Sequence, residues 1–264
     1  MNRVIYQLFF WAITVFLGTA STIARETDFV VHTSHTPEYI VKIGPTLDQS
    51  SGLMIEIAAA AFNNANVPVR VAPEVPWARA QLQAMEKPGG ILVILARTPA
   101  REDRWRWLSV AYTDKVYAYT LKGKPVFSNY ADIEAKKPRV GVKLGSASES
   151  LLKGMAVTVD AVVTIEQIFS MLLLDRLDVI VVQGMEAYPA IESIKSQRLD
   201  SFNSRLPDLR RTSIGELPLW FVTSKKTPEA DAKRLQDALE QFKKTLKYRV
   251  IIKKYEGKLI TVTQ

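Results

Sequence analysis

The segment PGGILVILARTPARE, residues 88–102, decides how this chain is read. Pro88, Gly89 and Gly90 interrupt the pattern before it, and Ile91 to Leu95 follows as an unbroken apolar run of strand length. A strand without polar alternation is covered on both faces, the condition of a parallel sheet sandwiched by helices. Next come Thr98 and Pro99, the pairing of an N-cap with a proline at the first helical position. Arg101 is then expected in the first turn of a helix, where the dipole disfavours a cation by about 0.3–1 kcal/mol and invites an anion. A guanidinium can grip a carboxylate with two parallel hydrogen bonds. That partner can be a ligand or a neighbouring acid such as Glu102 or Asp103, and spacing alone leaves the choice open.

Outward from this segment the strand and helix signals alternate. Phe29 to Val31 reads as a strand and ends in a polar loop, His32 to Glu38. Gly52 precedes an apolar helix, Leu53 to Phe62, which stops at Asn63 and Asn64. Val67 to Val71 is the next strand, and Trp77 to Met85 has helical spacing. On the other side Tyr112 to Leu121 is a long extended stretch, and a second series begins at Arg139. It places strands at Arg139 to Leu144, Val157 to Val163 and Val179 to Val182, with helices opened by Ser146 and Thr164. Pro207 to Arg211 reads as a loop, Leu217 to Thr223 as a strand and Pro228 to Lys247 as helical. Two similar α/β units follow, with ligands expected beyond the carboxyl ends of their strands. The economical arrangement is two lobes, the chain crossing near residues 117–123 and returning near 213–221, with a cleft between them.

The 264 residues are 47% hydrophobic and 23% charged, which excludes a disordered chain, and they hold no cysteine, which excludes thiolate chemistry and lipidation on cysteine. Val4 to Leu17 is an apolar run of about 14 residues behind Arg3, short of the roughly 20 that span a bilayer, and small residues follow it. This reads as a secretory signal peptide, residues 1–24, cleaved after Ala24 or else Ala20; the alternative is an uncleaved anchor. Removing it takes the formal charge from +8 to +7. Lysines and arginines are dispersed, and the densest group, Lys243 to Lys254, is interrupted by apolar residues, so a solvated helix face is expected and no nucleic-acid partner.

Further candidate site residues lie at the turns. Gly145, Ser146 and Glu149 form an S-x-x-E capping box, whose amides, with the Ser146 and Ser148 hydroxyls, can hold a carboxylate or phosphate oxygen. Trp77 and Tyr39 each lie close behind a proline and can wall off a ligand. His32 and His35 are spaced H-x-x-H at a strand end with only Glu38 nearby, so no metal and no cofactor are expected. The common nucleophile, P-loop and dinucleotide signatures are missing from the sequence.

Taken together, these residues resemble the bacterial extracellular solute-binding protein family 3, the periplasmic amino-acid-binding components of ABC importers. The resemblance runs along nearly all of the mature chain: Thr33 to Tyr39, Gly52, Pro76-Trp77-x-Arg79, Ala96-Arg97-Thr98-Pro99-x-Arg101-Glu102, Trp107, Tyr112-Thr113-Asp114, Val140 to Ser146, Leu177-Asp178-Val179 and the helix ending near Tyr255. It implies a two-lobe type II periplasmic-binding-protein fold, α/β, each lobe a mixed, mostly parallel sheet flanked by helices, with two hinge crossings. Lobe 1 would comprise residues 25–118 and 217–264, and lobe 2 residues 119–216. By the same resemblance Arg101 binds a ligand carboxylate, helped by Ala96, Ser146 and Ala147. Gln183 stands where the family has an aspartate for the α-amino group; its neutral amide can bond an ammonium but lacks the charge attraction. The expected function is capture of a small carboxylate-bearing solute, an amino acid or related compound, by a monomer without stable membrane insertion, for an ABC permease. The alternatives are a periplasmic enzyme of the cyclohexadienyl-dehydratase type, with Glu38 or Glu186 as acid or base, and the ligand-binding partner of a membrane sensor.

Overall fold

The computed structural model describes residues 27–197 and 204–260. The expected signal peptide, residues 1–24, lies outside them. The first α/β unit runs β1 (Phe29–Val31), α1 (Leu53–Asn64), β2 (Val69–Val71), α2 (Trp77–Glu86) and β3 (Gly90–Ala96). Strand β4 (Trp105–Leu121) leads to α3 (Tyr130–Lys136) and the second unit: β5 (Val140–Lys143), α4 (Ala147–Gly154), β6 (Val159–Val162), α5 (Ile165–Leu173), β7 (Val179–Gln183) and α6 (Gly184–Ser196). Strand β8 (Leu209–Ser224), α7 (Glu229–Lys243) and α8 (Leu246–Ile260) return to the first unit.

Hydrogen bonding links the strands in the order β2-β1-β3-β8-β4-β7-β5-β6. Within each unit the strands are parallel, ordered β2-β1-β3 and β6-β5-β7, and the antiparallel β4–β8 ribbon joins the two. The apolar runs fill both faces of their sheets. In β3 every residue is buried, Ile91 and Val93 in one cluster and Leu92 and Leu95 in another. Strand β7 sends Ile180 and Val182 to one face and Val179 and Val181 to the other. That is the two-sided burial its sequence implies.

The ribbon is longer than its sequence suggests. Strand β4 starts at Trp105, and β8 takes in Leu209 to Arg211, which were expected to form a loop. Pairing of the two strands with each other keeps these end residues extended, and no local pattern signals that. Along the ribbon the core changes between Tyr112 and Val116 on the way out and between Ile214 and Leu219 on the way back. The outgoing change therefore falls at residues 113–115, ahead of the expected stretch 117–123. The helical pattern after Pro228 is two helices, broken at Lys244 and Thr245. Among the described residues no helix is long and apolar enough to cross a membrane.

Candidate functional site

A cavity of about 500 Å³ opens at the carboxyl ends of the parallel strands. All six contribute: Ser34 to Thr36 after β1, Trp77 after β2, Ala96 and Arg101 at and after β3, Leu144 to Ala147 after β5, Val163 after β6, and Gln183 and Glu186 at and after β7. Loops placed there by the two parallel units of the sheet converge on one space, as the strand-end rule requires. The cavity thus gathers Arg101, Trp77, Ala96, Ser146, Ala147 and Gln183.

Arg97 and Arg101, four residues apart, have different environments. The Arg97 guanidinium forms a two-pronged pair with Glu102 and lies over the Trp107 and Trp220 rings, 5.2 Å from each centroid. With Glu102 occupied, Arg101 has no carboxylate partner among the described residues. It donates instead to the Ala96 carbonyl at 3.1 Å and, across to the second unit, to the Gly145 carbonyl at 3.2 Å. Burial pushes its pKa down, assisted by Arg104, yet a guanidinium stays charged. The expected α-helical turn is a 3-10 turn, Pro99–Arg104, and the Thr98 hydroxyl makes no capping bond. The position of Arg101 therefore rests on two carbonyls rather than on a helix dipole.

The capping box forms with one change. Ser146 Oγ accepts the Glu149 N–H at 3.1 Å, but the Glu149 carboxylate accepts from Gly145 N at 2.5 Å rather than from Ser146 N, which donates to the Lys143 carbonyl. The amides of Ala147 and Ser148, at the start of α4, donate to nothing among the described residues. The Ser148 hydroxyl, expected to be available to an anion, is buried against Tyr130 Oη at 3.1 Å. Ser146 keeps its own proton to donate.

Tyr39 does not line the cavity. It is wholly buried, and its hydroxyl donates to the Asp114 carboxylate, so among the described residues Trp77 is the large aromatic side chain on the cavity wall. Asp114 also accepts Lys115 N–H at 2.8 Å and Met185 N–H at 3.2 Å. Its pKa is pushed up to about 6, by burial first, with the Glu186 charge adding and its hydrogen bonds opposing. Glu38 also lies outside the cavity lining, in a left-handed conformation (φ 62°). Glu186 lines the cavity and pairs with Lys143 Nζ at 2.5 Å. His35 lines it too, with Nδ1 3.2 Å from the Val41 carbonyl, and among the described residues no cluster of three metal-ligating side chains exists. Sequence reasoning missed Lys143 and Val163. Each closes or directly follows a strand of the second unit, so the strand-end rule applied to β5 and β6 would have found both.

No family model matches the chain, and no curated protein does. Solved structures share its fold. The arginine-, lysine-, histidine-binding protein ArtJ from Geobacillus stearothermophilus superposes with a TM-score of 0.66 at 14% identity, covering 87% of this chain and 95% of that one. The substrate-binding protein of an amino acid ABC transporter gives 0.63 at 16%, covering 87% and 99%. A histidine kinase sensor domain with similarity to periplasmic binding proteins gives 0.67 at 15%, covering 88% and 96%. The chain therefore has the type II periplasmic-binding-protein fold, two α/β units on a crossing ribbon.

Proposed function

We propose that this chain is an exported receptor that captures a small carboxylate-bearing solute between its two units and delivers it to an ABC permease. The observation that carries this reading is Arg101, a half-buried cation on the cavity wall, held by carbonyls from both units and matched by no carboxylate among the described residues. A ligand carboxylate would supply the missing charge. Ser146 and the free amides of Ala147 and Ser148 would bind it from the facing unit, and Gln183 would read a polar substituent. The lobes, residues 25–118 with 217–264 and residues 119–216, would close on the ligand as a monomer in the periplasm, after loss of residues 1–24.

The likeness to a sensor domain favours a second reading, in which the same capture is reported to a membrane receptor. An enzyme is less well supported, because Glu38 is away from the cavity and Glu186 is engaged by Lys143. The test is a thermal-shift screen of the purified protein, refolded to remove bound ligand, against amino acids, amines, dicarboxylates and short peptides. A ligand at 100 times its Kd adds about 2.7 kcal/mol of stability. Arg101→Ala should abolish the shift while the protein stays folded by circular dichroism; an undiminished shift would refute the assignment.

A further inference from the structure

We infer that the cavity selects a carboxylate with an apolar body and no ammonium group, a monoanion rather than a zwitterionic amino acid. This rests on the reading of the cavity as a carboxylate site and names its ligand class. The ionisable side chains that line it are His35, Arg101, Lys143 and Glu186. The Glu186 side chain, 5% exposed, is matched by Lys143, so that pair adds no net charge. His35 Nδ1 faces a carbonyl, which only accepts, so this nitrogen carries the proton and the ring supplies no negative charge. Arg101 remains as one unmatched positive charge.

An ammonium in this cavity would find no free carboxylate among the described residues that line it. It could pair with Glu186 only by displacing Lys143, and burying it beside the neutral Gln183 would leave its charge uncompensated. The remaining lining is mostly apolar, with Ser34, Thr36 and Gln81 as further neutral polar side chains. Trp77, Ile94, Ala147 and Leu219 form apolar walls, and Leu144 and Val163 stand at the ends of β5 and β6, 55% and 70% exposed. Large apolar side chains left in water at the edge of a cavity gain from an occupant that covers them.

The test is titration calorimetry on the purified protein with matched pairs that differ by the α-ammonium: 3-phenylpropanoate against phenylalanine and 4-methylpentanoate against leucine, with glycolate as a small polar acid. The acid lacking the ammonium should bind at least tenfold tighter than its amino acid in one pair or both, and glycolate at least tenfold weaker than that acid. Gln183→Asp, which puts a carboxylate beside Glu186 and Lys143, should shift the preference at least tenfold towards the amino acid. Equal or tighter binding of the amino acids by the unaltered protein, or glycolate as tight as the larger acids, overturns the inference. If that binding is still lost in Arg101→Ala, the carboxylate-receptor reading survives. No binding of any of the five acids overturns the ligand class proposed here, and the broader screen then decides the receptor reading separately.

Discussion

Individual residues in this fold are constrained by backbone as much as by side chain. Gly52 precedes α1 at φ 125°, and a Cβ there would lie 2.4 Å from the Tyr39 carbonyl oxygen. Gly52→Ala therefore combines a strained dihedral with a clash against main chain, and a loss of at least about 2 kcal/mol is expected by urea denaturation. A change under about 0.5 kcal/mol would show that the loop relaxes freely. Ser146 has two roles: it caps α4 through the Glu149 N–H, and it faces the cavity. Ser146→Ala should cost about 1 kcal/mol of stability and also weaken carboxylate binding, whereas Ser146→Asp should restore the cap and weaken binding further by repulsion. The Arg-Thr-Pro-x-Arg segment drew attention to Arg101, but the contrast with Arg97 was not legible there. Spacing permits Glu102 to pair with either arginine; the Arg97 guanidinium lies over Trp107, ten residues on, and over Trp220, which only the folded β4–β8 ribbon brings there.

Among the elements, the β4–β8 ribbon carries the least obvious chemistry. Asp114 sits where the neighbours of β4 change, bonded to Tyr39 from the loop after β1 and to the Met185 amide at the start of α6. Burial raises its pKa to about 6, so the folded chain takes up a proton more readily than the unfolded chain between pH of about 4 and 6. The stabilisation from this group is present in full below that window and is lost as pH rises through 6. Urea denaturation of the protein and of Asp114→Asn at pH 4.5 and 7 should show the protein losing about 2 kcal/mol relative to the variant at the higher pH. A constant difference would mean that Asp114 titrates normally. Strands β3 and β7 were legible because an uninterrupted apolar run has one economical use in an α/β sheet. The ends of β4 and β8 were not, since their polar residues are held extended by ladder partners rather than by their own pattern.

Across the whole molecule, Arg101 in the first unit already touches Gly145 in the second, and cavity walls come from both. A ligand contacting both units binds one relative arrangement better than others and so shifts the population towards it. The radius of gyration from small-angle scattering should fall when a saturating ligand is added to stripped protein. Binding with an unchanged radius would argue for a preformed, rigid site. Met185 belongs to α6 yet packs in the core of the first unit, and its amide is bonded to Asp114, so α6 is tied to both units.

The amino-acid order alone determined the α/β class, the two units and their buried strands, and it singled out Arg101 at the turn after β3, because hydrophobic period and turn residues are local properties. Tertiary structure decided which partners those residues meet. It buried Tyr39 against Asp114, set the Ser148 hydroxyl against Tyr130, paired Lys143 with Glu186 and left Arg101 without a carboxylate among the described residues. Charge matching in a cavity depends on distances between groups far apart along the chain, and only the folded sheet brings them into register.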